Sequence, residues 1–319
     1  MMSIPQRDST RNTLAQETRF RPCALCGNPQ GRNLGEILHL RPATVAGVRI
    51  NIDDQAFHLV ACDECGFQFK SPAVPEEQLL ACYRAADSEF AAWISPDPLQ
   101  RRFDMMRDML LERIGSSRRI LDIGCFHGGF LDYVGADWQR FGIEPSEAAS
   151  RVSRTKGVTI LSPTLSELPA STPPFDAITA MDLIEHLNEP MPFFREVRKR
   201  LTDNGVLLLL TGNNDAWQWR TMGSLYWYCS LPEHCSFFSK KSLEYVCREV
   251  GYELLEFRTL SHGRAKPVQK VKDVVKNVAY LAARKSGGFG IARMRHAVDR
   301  HAPGWLTARD HLVAVLRKR

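Results

Sequence analysis

The sequence predicts an α/β protein, a doubly wound and mostly parallel sheet with a small metal-binding module ahead of it. Three observations carry that reading. Strand-like and helix-like segments alternate from Arg119 onward, a glycine-rich turn joins the first of these strands to its helix in "ILDIGCFHGGFLDYV" (Ile120 to Val134), and two C-x-x-C-G knuckles precede the alternation. Strands that alternate with helices form βαβ units, whose sheet is covered on both faces.

At 319 residues the chain is long enough to bury a large core, and a hydrophobic share of 44% with 24% charged residues is ordinary for a globular protein. No run of about 18 uncharged apolar residues occurs, so no spanning helix is expected. The first 19 residues lack the apolar segment of a secretory signal and read as a disordered lead-in. Nine cysteines, an odd number, point to a reducing, cytoplasmic setting rather than a disulfide framework.

The knuckles "CALCG" and "CDECG" supply Cys23, Cys26, Cys62 and Cys65. Each places two thiolates on one tight turn, and four thiolates around a closed tetrahedral centre make a structural zinc site. Redox chemistry is the other use of such pairs, but two knuckles of one form favour Zn2+. His39 and His58 lie between them and are not needed as ligands, and the strand-like "VRINI" and "FHLVAC" suggest a small β-rich module.

After a linker helix in "PEEQLLACYRA" and a second in "PLQRRFDMMRDMLLERIG", the expected elements are the strand Arg119–Ile123, a helix from Gly128, "QRFGIEPS" as strand and "SEAASRVSRTKG" as helix. "VTIL" and "FDAITAMDLIEHL" follow as strands, "PFFREVRKRLTDNG" as helix and "VLLLLTG" as strand; "DHLVAVLRKR" closes the chain as one more strand. Leu207–Leu210 reads as a strand buried on both faces.

A dinucleotide loop needs small residues at the first, third and sixth positions of G-x-G-x-x-G, where the backbone approaches a pyrophosphate. From Gly124 this chain offers Gly124, Phe126 and Gly129. Glu144 follows the second strand, 22 residues after Asp122, where an acid can accept both ribose hydroxyls of an adenosine. That position suits NAD and S-adenosylmethionine alike, but only the sulfonium cofactor, which has no pyrophosphate, tolerates Phe126 and His127.

These stretches resemble the motifs of the class I S-adenosylmethionine-dependent methyltransferases. "LDIGCFHGGFL" is similar to the first motif, with Asp122, Gly124 and Gly128 matched and Phe126 in place of the middle glycine; "FGIEPS" resembles the ribose-binding motif, and "FDAITAMDLIEHLNEP" with "VRKRLTDNGVLLLLTGN" the later ones. The resemblance covers about residues 118–260 and implies a doubly wound Rossmann-like methyltransferase sheet behind a small N-terminal zinc-binding module. It implies a cofactor site of Asp122, Gly124, Cys125, Gly128, Glu144, Pro145, Leu165, Met181 and Asp182. Thr164 stands where the family often has an acid near the adenine. The knuckles together with "PEHCSFFSKKSL" resemble the nucleotide-sugar C-methyltransferase subgroup, whose "Y-H-E-H-x-x-x-Y/F-S" stretch holds the general base. Glu233, His234, Phe238 and Ser239 match it, while Leu231 and Pro232 replace its tyrosine and first histidine.

Methyl transfer aligns donor and acceptor and removes a proton from an alcohol, phenol or acidic C–H. His234, in a loop beyond the fifth strand, is the first candidate base, and the alternative for it is to cap the next helix. His186, after the fourth strand, can face the same cleft or tie its own loop together. His127 lies in the glycine loop itself, where it lines the cofactor's methionine end or points to solvent. Trp217, Trp219, Tyr226, Trp227 and Tyr228 form either an acceptor lid or packing between domains.

The segmentation is 1–19 lead-in, 20–72 zinc-binding module, 73–117 helical linker, 118–261 cofactor-binding core, 262–308 basic helical insertion and 309–319 final core strand. From His262 onward 14 Lys and Arg face 3 Asp, a net of +11, which leaves 28 against 33 before it, a net of −5. Val268, Val271, Val275, Val278 and Ala282 lie at helical spacing among Lys266, Lys270, Lys272, Lys276, Arg284 and Lys285. Such a helix can lie on an anionic membrane surface or hold a phosphate-bearing substrate. The plainer expectation is a helix packed by its valines on the sheet or on a partner subunit; no specific nucleic-acid partner is expected.

The function these features imply is a methyltransferase using S-adenosylmethionine on a small-molecule acceptor, a sugar or lipid-linked metabolite first. The chain is expected in the cytoplasm or at the inner face of a membrane. The alternatives are O-methylation of a phenolic or quinone-like acceptor at a membrane surface, and a cofactor-binding scaffold without catalysis.

Overall fold

A computed structural model describes residues 20–52, 55–86, 96–115, 118–262, 266–285, 302–304 and 306–319, with main chain alone for 96–101. The expected lead-in and the junction between the two linker helices lie outside the described residues.

The central sheet has seven strands: β6 (Arg119–Ile123), β7 (Gln139–Ile143), β8 (Thr159–Ser162), β9 (Phe175–Met181), β10 (Leu201–Gly212), β12 (Tyr252–Leu260) and β13 (His311–Lys318). Their order is β12-β13-β10-β9-β6-β7-β8. β8, β7, β6, β9 and β10 run parallel, and β13 inserts antiparallel between β10 and β12. Leu207 sits opposite Ile178 on one side and Leu316 on the other, and Leu207 to Leu210 are all buried, as the unbroken apolar run requires.

Helices cover both faces. α5 (Pro190–Arg200) and α7 (Lys240–Val250) bury Phe194, Val197, Leu243 and Val246 on one; α2 (Pro96–Leu111) and α3 (Gly129–Val134) bury Met106, Leu110, Phe130 and Leu131 on the other. α4 (Glu147–Thr155) follows β7, capped by Ser146, whose hydroxyl accepts from the Ala149 amide at 3.2 Å. The expected helix from Gly128 begins one residue later, because Gly128 adopts a left-handed conformation (φ 69°) as its cap. The expected long strand 175–187 ends at Met181; Ile184–His186 is a 3-10 turn.

The cysteine knuckles belong to a smaller antiparallel sheet of β1 (Arg32–Glu36), β4 (His58–Ala61) and β5 (Gln68–Ser71), completed by β11 (Ser236–Phe237) from the far side of the core. Ser236 pairs with Phe69 and Phe237 with Gln68. The module is therefore not closed on itself at residue 72. Phe67 and Phe69 pack with Phe194 and Phe238 in the main core. Trp219, Tyr226, Trp227 and Tyr228 pack with Phe57, Leu59 and Val45 of the module, which is interdomain packing, whereas Trp217 is exposed.

α8 (Pro267–Lys285) departs from expectation. Its valines do not pack on the sheet: Val268, Val271, Val275 and Val278 are 59–67% exposed, and Asp273, Asn277 and Tyr280 are buried instead. Asn277 fixes this orientation by donating to the Gly304 carbonyl at 3.1 Å and accepting from its amide at 3.0 Å. A side chain at residue 304 would collide with Asn277, so the glycine permits the approach.

Candidate active site

The turn after β6 has left-handed backbone at Gly124 (φ 74°), Phe126 (φ 49°) and Gly128 (φ 69°). The three alternate positions of the motif thus keep one geometry although the middle residue is Phe, a conformation that costs a side-chain-bearing residue about 1–2 kcal/mol. The amides of Gly124 and Cys125 both donate to the Ile143 carbonyl (2.8 and 3.2 Å), that of Gly128 to the Cys125 carbonyl (2.8 Å), and that of Phe126 to the Glu144 carboxylate (2.8 Å). Four of the loop's donors are therefore spent within the fold. A pyrophosphate needs those donors free, whereas a cofactor with one carboxylate and one amine does not.

Glu144 is buried and also accepts from the Ser146 amide at 2.8 Å, and burial raises its pKa. Each carboxylate oxygen retains a second lone pair for a ribose hydroxyl. Pro145, Leu165 and Met181 are half-buried around the same carboxyl edge of the sheet. Asp122 is placed differently. Its carboxyl is sealed beneath the loop, accepts from the Thr179 hydroxyl at 2.6 Å, and is pushed up to about 7 by burial. The Cys125 thiol also points inward, into space left by Gly142, where a Cβ would lie 2.5 Å from its sulfur. His127 turns toward Lys156, whose amine donates to the His127 carbonyl at 2.8 Å. Thr164 bonds to Ser166 and Glu167 of its own turn.

Beyond β9, the structure brings His186 and His234 together with their rings stacked at 5.2 Å. The Tyr228 carbonyl accepts from His234 Nδ1 at 2.9 Å, which leaves Nε2 as the lone-pair nitrogen. His186 Nδ1 lies 3.1 Å from the Tyr83 hydroxyl of α1 (Glu76–Ala85). Burial pushes His186 down to about 4 and His234 well below the ordinary imidazole range, so both are neutral near pH 7. The His234 ring does not cap the next helix; Ser239 and Ser242 do.

Glu185 went unrecognised as a site residue in the sequence. It is fully buried, accepts from Tyr228 (2.5 Å) and Thr211 (2.7 Å), and is raised to about 7 by burial. Its carboxylate lies within 4.8 Å of nitrogens on both imidazoles. The set is suited to moving a proton: an imidazole accepts it, and the carboxylate stabilises the imidazolium.

Asp182, at the end of β9, is exposed and held at φ 47°, 3.9 Å from His311 Nε2. His311 lies opposite Gly212, contacts His262 at 3.2 Å, and meets the Tyr228 ring edge-on at 5.3 Å. Tyr228 thus separates two histidine pairs at the carboxyl edge, where open α/β sheets bind ligands.

The loop carrying His234 rests on the cysteine module. Lys70 of β5 is completely buried, and its amine donates to the carbonyls of Leu231 (2.6 Å) and Pro232 (3.4 Å). Desolvation lowers its pKa to about 8. Its amide also donates to the Cys235 carbonyl.

The four sulfurs lie within 4.8 Å of one another, with Cys23 and Cys65 3.6 Å apart and Cys26 and Cys62 3.5 Å apart. Those spacings are far beyond a disulfide, and they approach the edge of about 3.8 Å that a tetrahedron with metal–sulfur bonds of about 2.3 Å would have. Gly27 and Gly66 (φ 75° and 74°) close the knuckles, each amide returning to the carbonyl of the first cysteine. His39 Nδ1 lies 3.1 Å from the Ser230 carbonyl, outside the cluster.

Residues 98–256 match the methyltransferase-domain family. A tRNA U34 carboxymethyltransferase of Trichlorobacter lovleyi is 31% identical over 122 residues, 34% of this chain and 38% of that protein. A ubiquinone biosynthesis O-methyltransferase of an Azoarcus species is 28% identical over 192 residues, 54% of this chain and 80% of that protein. A solved S-adenosylmethionine-dependent methyltransferase of Thermotoga maritima, described as a possible histamine N-methyltransferase, aligns at 18% identity and TM-score 0.45 over 73% of this chain and 95% of its own. With its strand order and glycine loop, the core of this chain is an S-adenosylmethionine-dependent methyltransferase domain of the class I fold.

Proposed function

We propose that this enzyme methylates an oxygen or acidic carbon of a small-molecule acceptor, a sugar or lipid-linked metabolite first, with His234 taking the proton. The observation that carries the reading is the neutral His186–His234 stack beside the buried Glu185 carboxylate. S-adenosylmethionine, when bound, supplies an electrophilic methyl group on a sulfonium. Glu144, Pro145 and Leu165 are assigned to its adenosine, Met181 and Asp182 to its methionine end, and Gly124, Phe126 and Gly128 to the shape of the loop beneath it. Asp122 and Cys125 act through that loop from below. His186 positions the acceptor next to His234, and Tyr228 holds the Glu185 carboxylate in place. Zn2+ in the four-cysteine cluster would fix the knuckles, and through β5 and Lys70 the loop that presents His234.

A phenolic or quinone-like acceptor is the second reading, favoured by the ubiquinone biosynthesis O-methyltransferases that align over 80–88% of their length at 26–28% identity. Methyl-transfer assays against nucleotide sugars and against catechol-like phenols decide between the two. Turnover with either that falls about 10²–10⁴-fold in His234→Gln, with cofactor affinity kept, supports the histidine assignment. Cofactor binding without turnover on any acceptor would favour a scaffold.

A further inference from the structure

The amphipathicity of α8 is inverted. A helix of a water-soluble fold buries its apolar stripe and exposes its polar one. Here Asp273 and Asn277 are buried, while Val268, Val271, Val275 and Val278 face outward. At 100° per residue those valines fall within one stripe about 80° wide, continued by the exposed Ala282. Lys272 and Lys276 border the stripe on one side and Lys285 on the other, with Lys266, Lys270 and Arg284 further round. The helix's one acid, Asp273, is turned inward, so its exposed charge is entirely positive.

We propose that α8 is a docking surface for an anionic lipid bilayer, lying in the interface with its valines among the acyl chains and its lysines at the phosphates. Charge and shape select this occupant. A second copy of the chain, paired valine to valine, would bring two rows of lysines together along the seam, an unfavourable like-charge contact. Nucleic acid would use the lysines and leave the valines in water. A protein partner would be anchored by large aromatic or Arg side chains seated in pockets, and the stripe has no aromatic residue. A bilayer requires no pocket-filling anchor, and the valine strip with its basic border offers it buried apolar area and attraction to anionic headgroups. Among the described residues no helix is long and apolar enough to cross a membrane, so the helix lies on the surface. The proposal is independent of the acceptor's identity.

The test is sedimentation of the full chain with vesicles of phosphatidylcholine alone and of phosphatidylcholine mixed with phosphatidylglycerol. The expected result is binding to the mixed vesicles at least about tenfold tighter than to the neutral ones, and weakened by salt. Val271→Glu with Val275→Glu should abolish it, and Lys272→Glu with Lys276→Glu should reduce it by more than about tenfold. Because these side chains are exposed, circular dichroism and cofactor affinity should not change. Absence of binding to anionic vesicles, or binding that survives the valine substitutions, overturns the proposal. A dimer by light scattering that the valine substitutions convert to monomer overturns it too, by assigning the stripe to a second copy.

Discussion

The Lys70 amine lies 2.6 Å from the Leu231 carbonyl, so a strand of the cysteine module ends its side chain beneath the loop that carries His234. A fully buried lysine is expensive to desolvate, and two carbonyls on one short loop are what compensate it here. The main chain of Leu231 and Pro232 takes up the contact with the module. Lys70→Met should therefore leave the buried Pro232 carbonyl without its donor, while the Leu231 carbonyl keeps only the His234 amide at 3.2 Å, at about 1–3 kcal/mol of stability. It should also lower kcat with little change in cofactor affinity. A variant that loses melting temperature alone, with kcat intact, would give Lys70 a purely structural role.

Removing one cysteine should act through the same connection. Cys23→Ser is expected to lose the metal, lower the melting temperature and depress turnover, while the glycine loop and Glu144 are undisturbed. Elemental analysis checks the first effect and cofactor titration the last. Stoichiometric zinc in the variant would remove the four-cysteine assignment.

The pH profile tests the histidine pair. A base must be unprotonated to act, and burial lowers the folded pKa of His186 to about 4 and that of His234 well below the ordinary value near 6.5. The imidazole limb of kcat/KM should therefore lie below pH 6.5, while the charge on Glu185 is lost as pH falls through its raised value of about 7. Glu185→Gln should remove the limb near 7, and an acid limb above 6.5 that persists in that variant would contradict a neutral buried imidazole as base.

Glu185→Gln should keep the hydrogen bond from Tyr228 but remove the charge that stabilises an imidazolium. Turnover is expected to fall at least about tenfold with the fold unchanged. Equal turnover in the variant would confine Glu185 to tying Thr211 and Tyr228 together.

What was legible in the sequence was local. Gly124, Gly128 and Glu144 announce themselves because turn geometry and a strand-end acid are written within a few residues. The knuckles are likewise two short stretches. Contacts between distant segments were not legible: nothing near Lys70 signals that it meets residue 231, and Glu185 looked like a companion of His186 until Tyr228 and Thr211 closed on it. Asp122 matched a motif but sits beneath the loop, because a motif gives position along the chain and not the side of the sheet to which a carboxyl turns. The same limit explains α8. Periodicity shows that the valines share a face; Asn277 with Gly304 decides that this face looks outward.

The most direct measurement is calorimetric titration with S-adenosylmethionine and with NAD, on the unmodified chain and on Glu144→Ala. Micromolar binding of S-adenosylmethionine alone, lost or weakened at least about tenfold in the variant, is the predicted result. Binding of NAD, or an affinity for S-adenosylmethionine that ignores Glu144, would contradict the site built on the Gly124–Gly128 loop.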